Sequence, residues 1–346
     1  MNFATAYDAL LVVSFGGPEG PQDVMPFLEH VVRGKPVPRE RLLQVAEHYA
    51  HFGGVSPINQ QCRELIAALQ VELQRAGIEL PIYWGNRNWH PFIEDTLCEM
   101  ARSGIRRVLA IFTSIFSSYS GCRQYRENIA QACERIGAAA PQVDRLRFGF
   151  NHPGFIRAQA DRVREKLPLV KPGLKPRIIF TAHSIPLSMA RQCAYEVQLI
   201  EASRLVAEEL PCSSEGWLLA YQSRSGRPED PWLEPDILTA LPMLSAEREA
   251  AVVVPIGFLS DHMEVLYDLD IEAQGWADAH GLQMLRAGTV GCHPEFIRML
   301  RELIEERLGK REGRTAIGRL PPNHDVCPAD CCLPPARPVR TPASSA

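Results

Sequence analysis

The chain has 346 residues, of which 46% are hydrophobic, and its 37 Lys and Arg against 41 Asp and Glu give a formal net charge of -4 at pH 7. This length accommodates two domains of ordinary size, each with its own core. The slight acidic balance and the absence of a basic run argue against a nucleic-acid partner. The first apolar run, residues 10–13, is too short for a membrane span or a signal-peptide core, so we expect a cytoplasmic protein without an integral membrane segment.

Short apolar runs alternate with longer amphipathic stretches. The apolar runs predict strands at residues 9–15, 82–85, 108–112, 178–182, 217–221 and 251–256. Helical periodicity marks residues 61–76, 92–103, 123–136 and 294–308. This alternation predicts an α/β fold with parallel sheets flanked by helices. We expect one unit at residues 1–150, a second at 151–310 whose last helix could pack on either half, and an extension at 311–346.

Unusual residues follow the predicted strands, at the edge where open α/β sheets bind ligands. The loop 14–20 contains three glycines, but their spacing does not match a dinucleotide fingerprint, and the chain has no Walker loop. Gly16 and Gly17 therefore more simply shape a tight exit from the strand. The loop 113–125 mixes hydroxyls and aromatic rings. It is either an ordinary polar connection or the wall of a pocket for a large flat ligand.

Three carboxylates, Glu264, Asp268 and Glu272, recur at i, i+4 and i+8 after a buried strand. They repel one another on one helix face, so the column favours a path for a metal ion over a solvated acidic face, which would also carry lysines. In a regular helix each step of four residues drifts by about 40°. A π-bulge would align the three side chains, and such bulges concentrate at functional sites. We therefore predict a π-type turn between Glu264 and Glu272.

His183 follows directly after the fourth predicted strand. A single histidine is as often a structural residue as a ligand. A neutral imidazole that faces a carboxylate, however, can hold a divalent ion or move a proton. A Ser-His-Asp arrangement is the weaker alternative because the chain has no G-x-S-x-G motif.

Three of the ten cysteines lie within six residues, at Cys327, Cys331 and Cys332. An iron-sulfur cluster needs four thiolates, so a fourth must come from a distant part of the chain, and Cys122 on a strand-end loop is our candidate. The alternative is a flexible tail with incidental thiols. Residues 333–346 are rich in Pro, Ser and Arg, which predicts a disordered tail.

The chain resembles the ferrochelatase family from Tyr7 to about Leu308. The shared motifs are SFGGPEG (14–20), HFGGVSPIN (51–59), GNRNWHPF (85–92), FTAHSIP (180–186), DPWLEPD (230–236) and GFLSDHMEVLYDLD (257–270). The chain is most similar to the actinobacterial type, through SFGGPEG, the YSGCRQY loop and the cysteine tail. The resemblance implies two Rossmann-like domains with a porphyrin cleft between them. It also implies a lyase of haem biosynthesis that inserts Fe2+ into a porphyrin.

The resemblance also implies roles for individual residues. His183 and Glu264 match the catalytic, metal-binding pair, and Asp268 and Glu272 match the metal-entry positions. Porphyrin contacts fall on Arg33, Tyr49, Ser56 and Tyr125, and the ligands of a [2Fe-2S] cluster on Cys122, Cys327, Cys331 and Cys332. Phe15 stands where some relatives have a tyrosine that ligates iron, so that axial ligand is missing.

The resemblance favours coproporphyrin III over protoporphyrin IX as the porphyrin. Arg33 and the hydroxyls of Ser56 and Tyr125 suit its propionate groups. The substrates would be porphyrin and ferrous iron, with transient contacts to other haem-pathway enzymes. The alternatives are a non-catalytic haem carrier, a cobalt or nickel chelatase and, least favoured, a nucleotide-dependent α/β enzyme.

Overall fold

The computed structural model describes residues 7–211, 216–225 and 230–334. Its strands are β1 (Ala9–Ser14), β2 (Ile82–Asn86), β3 (Arg107–Phe112), β4 (Gln142–Arg145), β5 (Lys175–His183), β6 (Trp217–Gln222), β7 (Glu249–Val254) and β8 (Gln283–Arg286). They form two four-stranded sheets with the orders β2-β1-β3-β4 and β6-β5-β7-β8. All pairings within these sheets are parallel, which confirms the predicted α/β fold with two parallel sheets.

Helices cover both faces of the sheets. They are α1 (Pro21–Val31), α2 (Arg39–Ala50), α3 (Ile58–Arg75), α4 (Ile93–Arg102), α5 (Gln124–Ile136), α6 (Pro153–Arg164), α7 (Leu187–Ala190), α8 (Tyr195–Glu208), α9 (Ile237–Ala240), α10 (Met263–Val265), α11 (Gln274–Ala279) and α12 (Pro294–Arg307). Two further segments are π-helical, Tyr119–Arg123 before α5 and Leu266–Ala273 between α10 and α11. None of the helices in the described ranges is long and apolar enough to cross a bilayer.

The central strands are apolar on both faces because helices pack on each side of the sheet. All six residues of β1 are buried, and the apolar runs predicted six of the eight strands. The two that they missed, β4 and β8, are four-residue strands at the edge of their sheets. An edge strand has a partner on one side only, so its sequence carries a weaker apolar pattern.

The last helix joins the two halves of the chain. α12 packs against α6 and also against α3, which lies between the first two strands. Phe296 of α12 shares one apolar cluster with Leu69 of α3 and with Phe155 of α6. The sequence had left open on which half this helix packs, and it packs on both. A continuous core therefore runs from one half into the other.

The glycine loop leaves β1 through a left-handed turn. Gly16 has a φ of 81°, and a Cβ at this position would lie 2.9 Å from Cβ of Asn86. Both the conformation and the space require glycine. The tight strand exit is confirmed. Of the tail predicted to be disordered, residues 335–346 lie outside the described ranges.

Candidate active site

His183 and Glu264 meet at the carboxyl end of the second sheet. His183 is the last residue of β5, and Glu264 lies in α10, which follows β7. The Nε2 atom of His183 is 3.7 Å from Oε2 of Glu264. Their side chains are 33% and 48% exposed, so both can reach a bound molecule. β5 and β7 are neighbours in the sheet, which explains why the two residues, 81 positions apart, come together.

The backbone fixes the proton on the His183 ring. Nδ1 of His183 contacts the carbonyl oxygen of Ser184. A carbonyl oxygen only accepts, so Nδ1 carries the hydrogen in the neutral ring. Nε2 then presents its lone pair toward Glu264. Such a nitrogen can bind a metal ion or accept a proton.

α8 supports the histidine from behind. The hydroxyl of Tyr195, the first residue of α8, donates to the carbonyl oxygen of His183 at 3.0 Å. Tyr195 is itself buried, and burial raises the pKa of its hydroxyl well above the usual range. A phenol that stays protonated remains a donor, so the end of β5 is held in place.

Asp268 lies in the π-helix Leu266–Ala273, which confirms the π-type turn predicted from the carboxylate spacing. Its Oδ2 accepts hydrogen bonds from the Ser223 hydroxyl and, at 3.4 Å, from Nε2 of Gln222. Burial raises the pKa of Asp268 to about 7, and the charges of Glu264 and Glu272 act in the same direction. Ser223 and Gln222, at the end of β6, were not singled out from the sequence. Their position after a strand was the available signal.

Glu272, at the far end of the column, is exposed. Partial desolvation of its carboxylate nevertheless raises its pKa, and the nearby charge of Asp236 adds to this. Within the column itself, the charges of Glu264 and Glu272 both oppose ionisation of Asp268. A column of mutually repelling carboxylates gains stability when a cation enters it.

Arg286 fixes the backbone that carries this column. It is the last residue of β8, and it binds Asp270 of the π-helix through two nitrogens and Asp261 through a third. The backbone nitrogen of Asp261 also donates to Oε1 of Gln61 in α3 at 2.8 Å. The segment is thus tied to both halves of the chain. Arg286 was not predicted as a site residue, because β8 was not predicted from the sequence.

The first half faces the column with an aromatic wall. Phe27 of α1 lies edge-on to Phe15, Tyr49 and Trp89, with ring centroids 6.1–6.2 Å apart. Met263, the neighbour of Glu264, belongs to the same apolar cluster. The predicted porphyrin contact Tyr49 therefore lies near the His183–Glu264 pair. Burial, and to a smaller extent the charge of Glu264, raises the pKa of Tyr49 well above the usual range.

A second contact between the halves lies at the rim of this region. The ring of His48 in α2 stacks on Tyr267 of the π-helix, with centroids 3.7 Å apart and planes 6° from parallel. His51, one turn along, lies at 5.7 Å from the same ring. This contact brings α2 against the π-helix that carries Asp268.

The other predicted porphyrin contacts occupy different environments. Arg33 is exposed just after α1, whereas Ser56 and Tyr125 are buried. Burial raises the pKa of Tyr125 to about 12, and the charge of Arg87 partly offsets this. The aromatic residues of the loop 113–125 belong to two different apolar clusters. Phe116 packs in the main core, and Tyr125 packs in the cluster beneath the first sheet.

The four predicted cluster cysteines come together. Cys331 Sγ lies 3.5 Å from Cys332 Sγ, and His324, Cys327 and Cys331 place their ligand atoms within 4.8 Å of one another. Cys122, in the π-helical segment before α5, interacts with the thiol of Cys327. This interaction lowers the pKa of Cys327 and raises that of Cys122. His324 is an additional possible ligand that the sequence analysis missed, although it stands only three residues before Cys327.

Two arginines attach the cysteine segment to the first half. Arg123 donates to the carbonyl oxygens of Ala329 at 2.8 Å and Cys331 at 3.0 Å. Arg145 donates to the carbonyl oxygen of His324 at 2.7 Å. Together these bonds order a segment that has little regular secondary structure.

Comparison with known proteins places the chain in a family. The ferrochelatase family model matches residues 7–308. The ferrochelatase of Rhodopirellula baltica is 58% identical over 96% of this chain and 95% of its own length. The coproporphyrin III ferrochelatase of Streptomyces coelicolor is 48% identical over 99% of this chain and 97% of its own length.

Among solved structures, SirB from Bacillus subtilis with Fe3+ matches with a TM-score of 0.59 at 12% identity, over 90% of this chain and 99% of that one. The cobalt complex of this sirohydrochlorin chelatase, from the subspecies spizizenii, matches with a TM-score of 0.55 at 13% identity, with the same coverage. At such low identity these likenesses establish a chelatase fold and nothing more. The family follows from the family model and the sequence relatives: the chain belongs to the ferrochelatases, lyases that insert ferrous iron into a porphyrin.

Proposed function

We propose that this ferrochelatase acts on coproporphyrin III and that His183 and Glu264 form its reacting pair. The assignment of this pair rests on the distance of 3.7 Å between Nε2 of His183 and Oε2 of Glu264, at the carboxyl end of the second sheet. Insertion of iron requires the removal of the pyrrole protons and the release of water from the metal ion. A neutral imidazole nitrogen and a carboxylate oxygen supply between them a metal ligand and a proton acceptor.

We assign Asp268 and Glu272 to the delivery of iron to this pair. Glu272 is exposed, Asp268 is half-buried, and both lie on the π-helix that follows Glu264 directly. Carboxylate oxygens bind hard divalent cations. Each step toward the pair brings the ion next to another negative charge, so the column replaces part of the water around the ion before it reaches the porphyrin.

The aromatic wall opposite the pair would hold the macrocycle. Phe15 and Trp89 flank Phe27, and together they present apolar ring faces and edges. A wall that fits a bent ring better than a flat one stabilises the transition state more than the substrate, which raises the rate. Phe15 has no hydroxyl, so it contributes to this wall by packing.

The choice of coproporphyrin III rests on charge. Among the residues described, no carboxylate lies within 4.0 Å of the charged groups of Arg33, Lys35 or Arg87. Burial lowers the pKa of Lys35, and the charge of Arg87 lowers it further, so cations crowd this region. A porphyrin with four carboxylates relieves this repulsion better than one with two. Several relatives are named coproporphyrin III ferrochelatase, whereas that of R. baltica is named only ferrochelatase.

The test of the pair is His183→Ala, with His280→Ala at the exposed end of α11 as the matched control. Anaerobic incubation with Fe2+ and porphyrin is followed by the Soret band, and porphyrin binding is measured separately by fluorescence quenching. We expect His183→Ala to bind porphyrin and not to metalate it. Normal turnover in His183→Ala would disprove the assignment.

The test of the substrate compares kcat/KM for coproporphyrin III and protoporphyrin IX under the same conditions. We expect the four-carboxylate porphyrin to be preferred, and Arg87→Gln to reduce that preference. Equal or reversed preference in the unmodified enzyme would exclude coproporphyrin III as the favoured substrate. Metalation of neither porphyrin would instead support a haem carrier.

We further propose that Cys122, Cys327, Cys331 and Cys332 hold a [2Fe-2S] cluster. The donor set fits such a group, since the four sulfurs converge and a buried guanidinium lies beside them. When bound, the cluster would supply a one-electron redox centre and a cross-link between the extension and the first half.

We place the enzyme in the cytoplasm, where other haem-pathway enzymes would supply its porphyrin and collect its product.

A further inference from the structure

Arg145 is a buried charge without an ionic partner. The residue is 7% exposed, and among the residues described no carboxylate lies within 4.0 Å of its guanidinium. Its Nε finds no hydrogen-bond acceptor in the described part of the chain. Burying an unpaired charge costs several kcal/mol in general, so such a group normally has a counter-charge nearby.

The guanidinium of Arg145 points at the cysteine site. One of its terminal nitrogens lies 3.5 Å from Sγ of Cys327 and also binds the carbonyl oxygen of His324 at 2.7 Å. Its other side faces the ring of Phe148, 4.7 Å from the centroid. An apolar ring and backbone carbonyls do not neutralise a full positive charge. The side-chain oxygen of Asn323, 3.3 Å from the same nitrogen, is neutral as well. Among the residues that the structure describes, the sulfurs are the groups in contact with Arg145 that can neutralise it.

Arg147, two residues along the chain, is a buried arginine that does have an ionic partner within the fold. Its side chain is 1% exposed, and it binds Glu306 of α12 through two hydrogen bonds of 2.7 Å and 2.9 Å. The charge of Arg147 is therefore neutralised by a carboxylate within the fold. Arg145 is also buried, in the same stretch of the chain, but has no such carboxylate, which leaves the sulfur site as its partner.

We propose that Arg145 is a positioning residue of the cysteine site, acting as its counter-charge and as hydrogen-bond donor to the metal-bound sulfur of Cys327. This role rests on the proposed [2Fe-2S] cluster. A cluster with four thiolates is anionic and gains one more negative charge on reduction. A nearby cation therefore stabilises the reduced form and raises the reduction potential, as do hydrogen bonds to the sulfurs.

The first test measures the cluster itself in anaerobically purified wild type, Arg145→Gln and Arg145→Lys. The readouts are iron and sulfide content, the visible absorption spectrum and the midpoint potential from a redox titration monitored by EPR. We expect the midpoint potential of Arg145→Gln to be more negative than that of the wild type. Arg145→Lys, which keeps the charge, should lie between them.

The matched control is the double variant Arg147→Gln/Glu306→Gln, which removes a neighbouring buried ion pair as a unit. Removing both partners avoids leaving one charge unpaired. We expect this variant to keep the wild-type midpoint potential. An equal shift in the control and in Arg145→Gln would contradict a specific role for Arg145.

The second test covers the case in which Arg145→Gln loses its cluster. Thermal unfolding is measured for wild type and variant, each with the cluster and after its removal by chelation. We expect Arg145→Gln either to lose the cluster while remaining folded or to be destabilised more in the loaded than in the cluster-free state. Equal destabilisation of both states, with an unchanged potential, would overturn the role of Arg145. Wild type without iron and sulfide would instead overturn the cluster, and this role with it.

Discussion

Arg286 binds Asp270 of the π-helix through both carboxylate oxygens, with Nε–Oδ1 and terminal nitrogen–Oδ2 distances of 2.5 Å and 2.9 Å. The remaining terminal nitrogen lies 3.0 Å from Asp261. One guanidinium thus holds the start and the middle of the segment that carries Glu264 and Asp268. The positions of these two carboxylates therefore depend on a cationic residue that cannot itself bind a metal ion.

Replacement of this arginine should impair the use of iron more than the binding of porphyrin. We expect Arg286→Gln to lower kcat/KM for Fe2+ by about 10- to 100-fold, the range seen when a residue that orients metal ligands is lost. The affinity for porphyrin should stay within a factor of about two of the wild type, because Arg286 lies outside the aromatic wall. Steady-state kinetics with varied Fe2+, together with porphyrin titration, measure both quantities.

Arg298→Gln is the control, since Arg298 lies half-exposed on α12 and pairs with Glu295. It should leave both quantities unchanged. Wild-type kinetics in Arg286→Gln would show that the π-helix keeps its geometry without the arginine.

Tyr125 should make the stability of the protein depend on alkaline pH. Burial raises its pKa to about 12, above the usual value near 10. A raised pKa stabilises the folded state below pH 10, and this contribution is lost as the pH rises through 12. The stability of Tyr125→Phe relative to wild type should therefore increase above pH 10, with a slope of at most about 1.4 kcal/mol per pH unit. Denaturant unfolding between pH 8 and 11 measures it.

Tyr83→Phe, at a half-buried tyrosine of β2, serves as the comparison for removing a hydroxyl. A stability difference between wild type and Tyr125→Phe that stays constant across this range would refute the prediction. Because Tyr125 is also a proposed porphyrin contact, KM for porphyrin should rise in the same variant.

Gly16 should not tolerate a side chain. In Gly16→Ala the new Cβ would meet Asn86 at 2.9 Å in a backbone conformation with φ of 81°. We expect a loss of more than about 1 kcal/mol in the free energy of unfolding.

Gly275→Ala provides the opposite case, because Gly275 lies in α11 and, beyond its chain neighbours and its own helix backbone, no described atom lies within 4 Å of the added carbon. This variant should gain about 0.5–1 kcal/mol, since alanine favours the helix over glycine. Urea unfolding of both variants measures the difference, and a Gly16→Ala variant as stable as wild type would contradict the strained turn.

The cluster ligands can be separated from neighbouring thiols. Cys193 lies close enough to Cys331 and Cys332 to interact with them electrostatically, yet it is not among the proposed ligands. We expect Cys122→Ser to lose most of the iron and sulfide, and Cys193→Ser to keep both. Elemental analysis of anaerobic preparations decides this. Retention of the cluster in Cys122→Ser, especially with loss in a His324→Ala variant, would replace Cys122 by His324 in the ligand set.

Much of the fold was predictable because its central strands are apolar on both faces. The carboxylate spacing predicted the π-type turn because a regular helix would spread the three side chains around its axis, and the structure confirms a π-helix at this place. The π-helical segment Tyr119–Arg123 was not predicted, because its side chains show no comparable spacing. The edge strands β4 and β8 were not predicted, because neither contains an apolar run.

The partners of the site residues were harder to predict than the residues themselves. Ser223 and Gln222 bind Asp268 only because β6 ends beside the π-helix, and Arg286 reaches Asp270 from the opposite edge of the sheet. Such contacts depend on how strand ends converge in space. No local pattern in the sequence records this convergence.

The attachment of the cysteine segment has a consequence for synthesis of the protein. Arg123 binds Ala329 across 206 positions of the chain, and Arg145 binds His324 across 179. Domains generally fold in order as they leave the ribosome, so both arginines are in place long before their partners exist. The sulfur site can therefore be completed only after the entire catalytic body has been translated. Any loading of this site would be the last step in maturation.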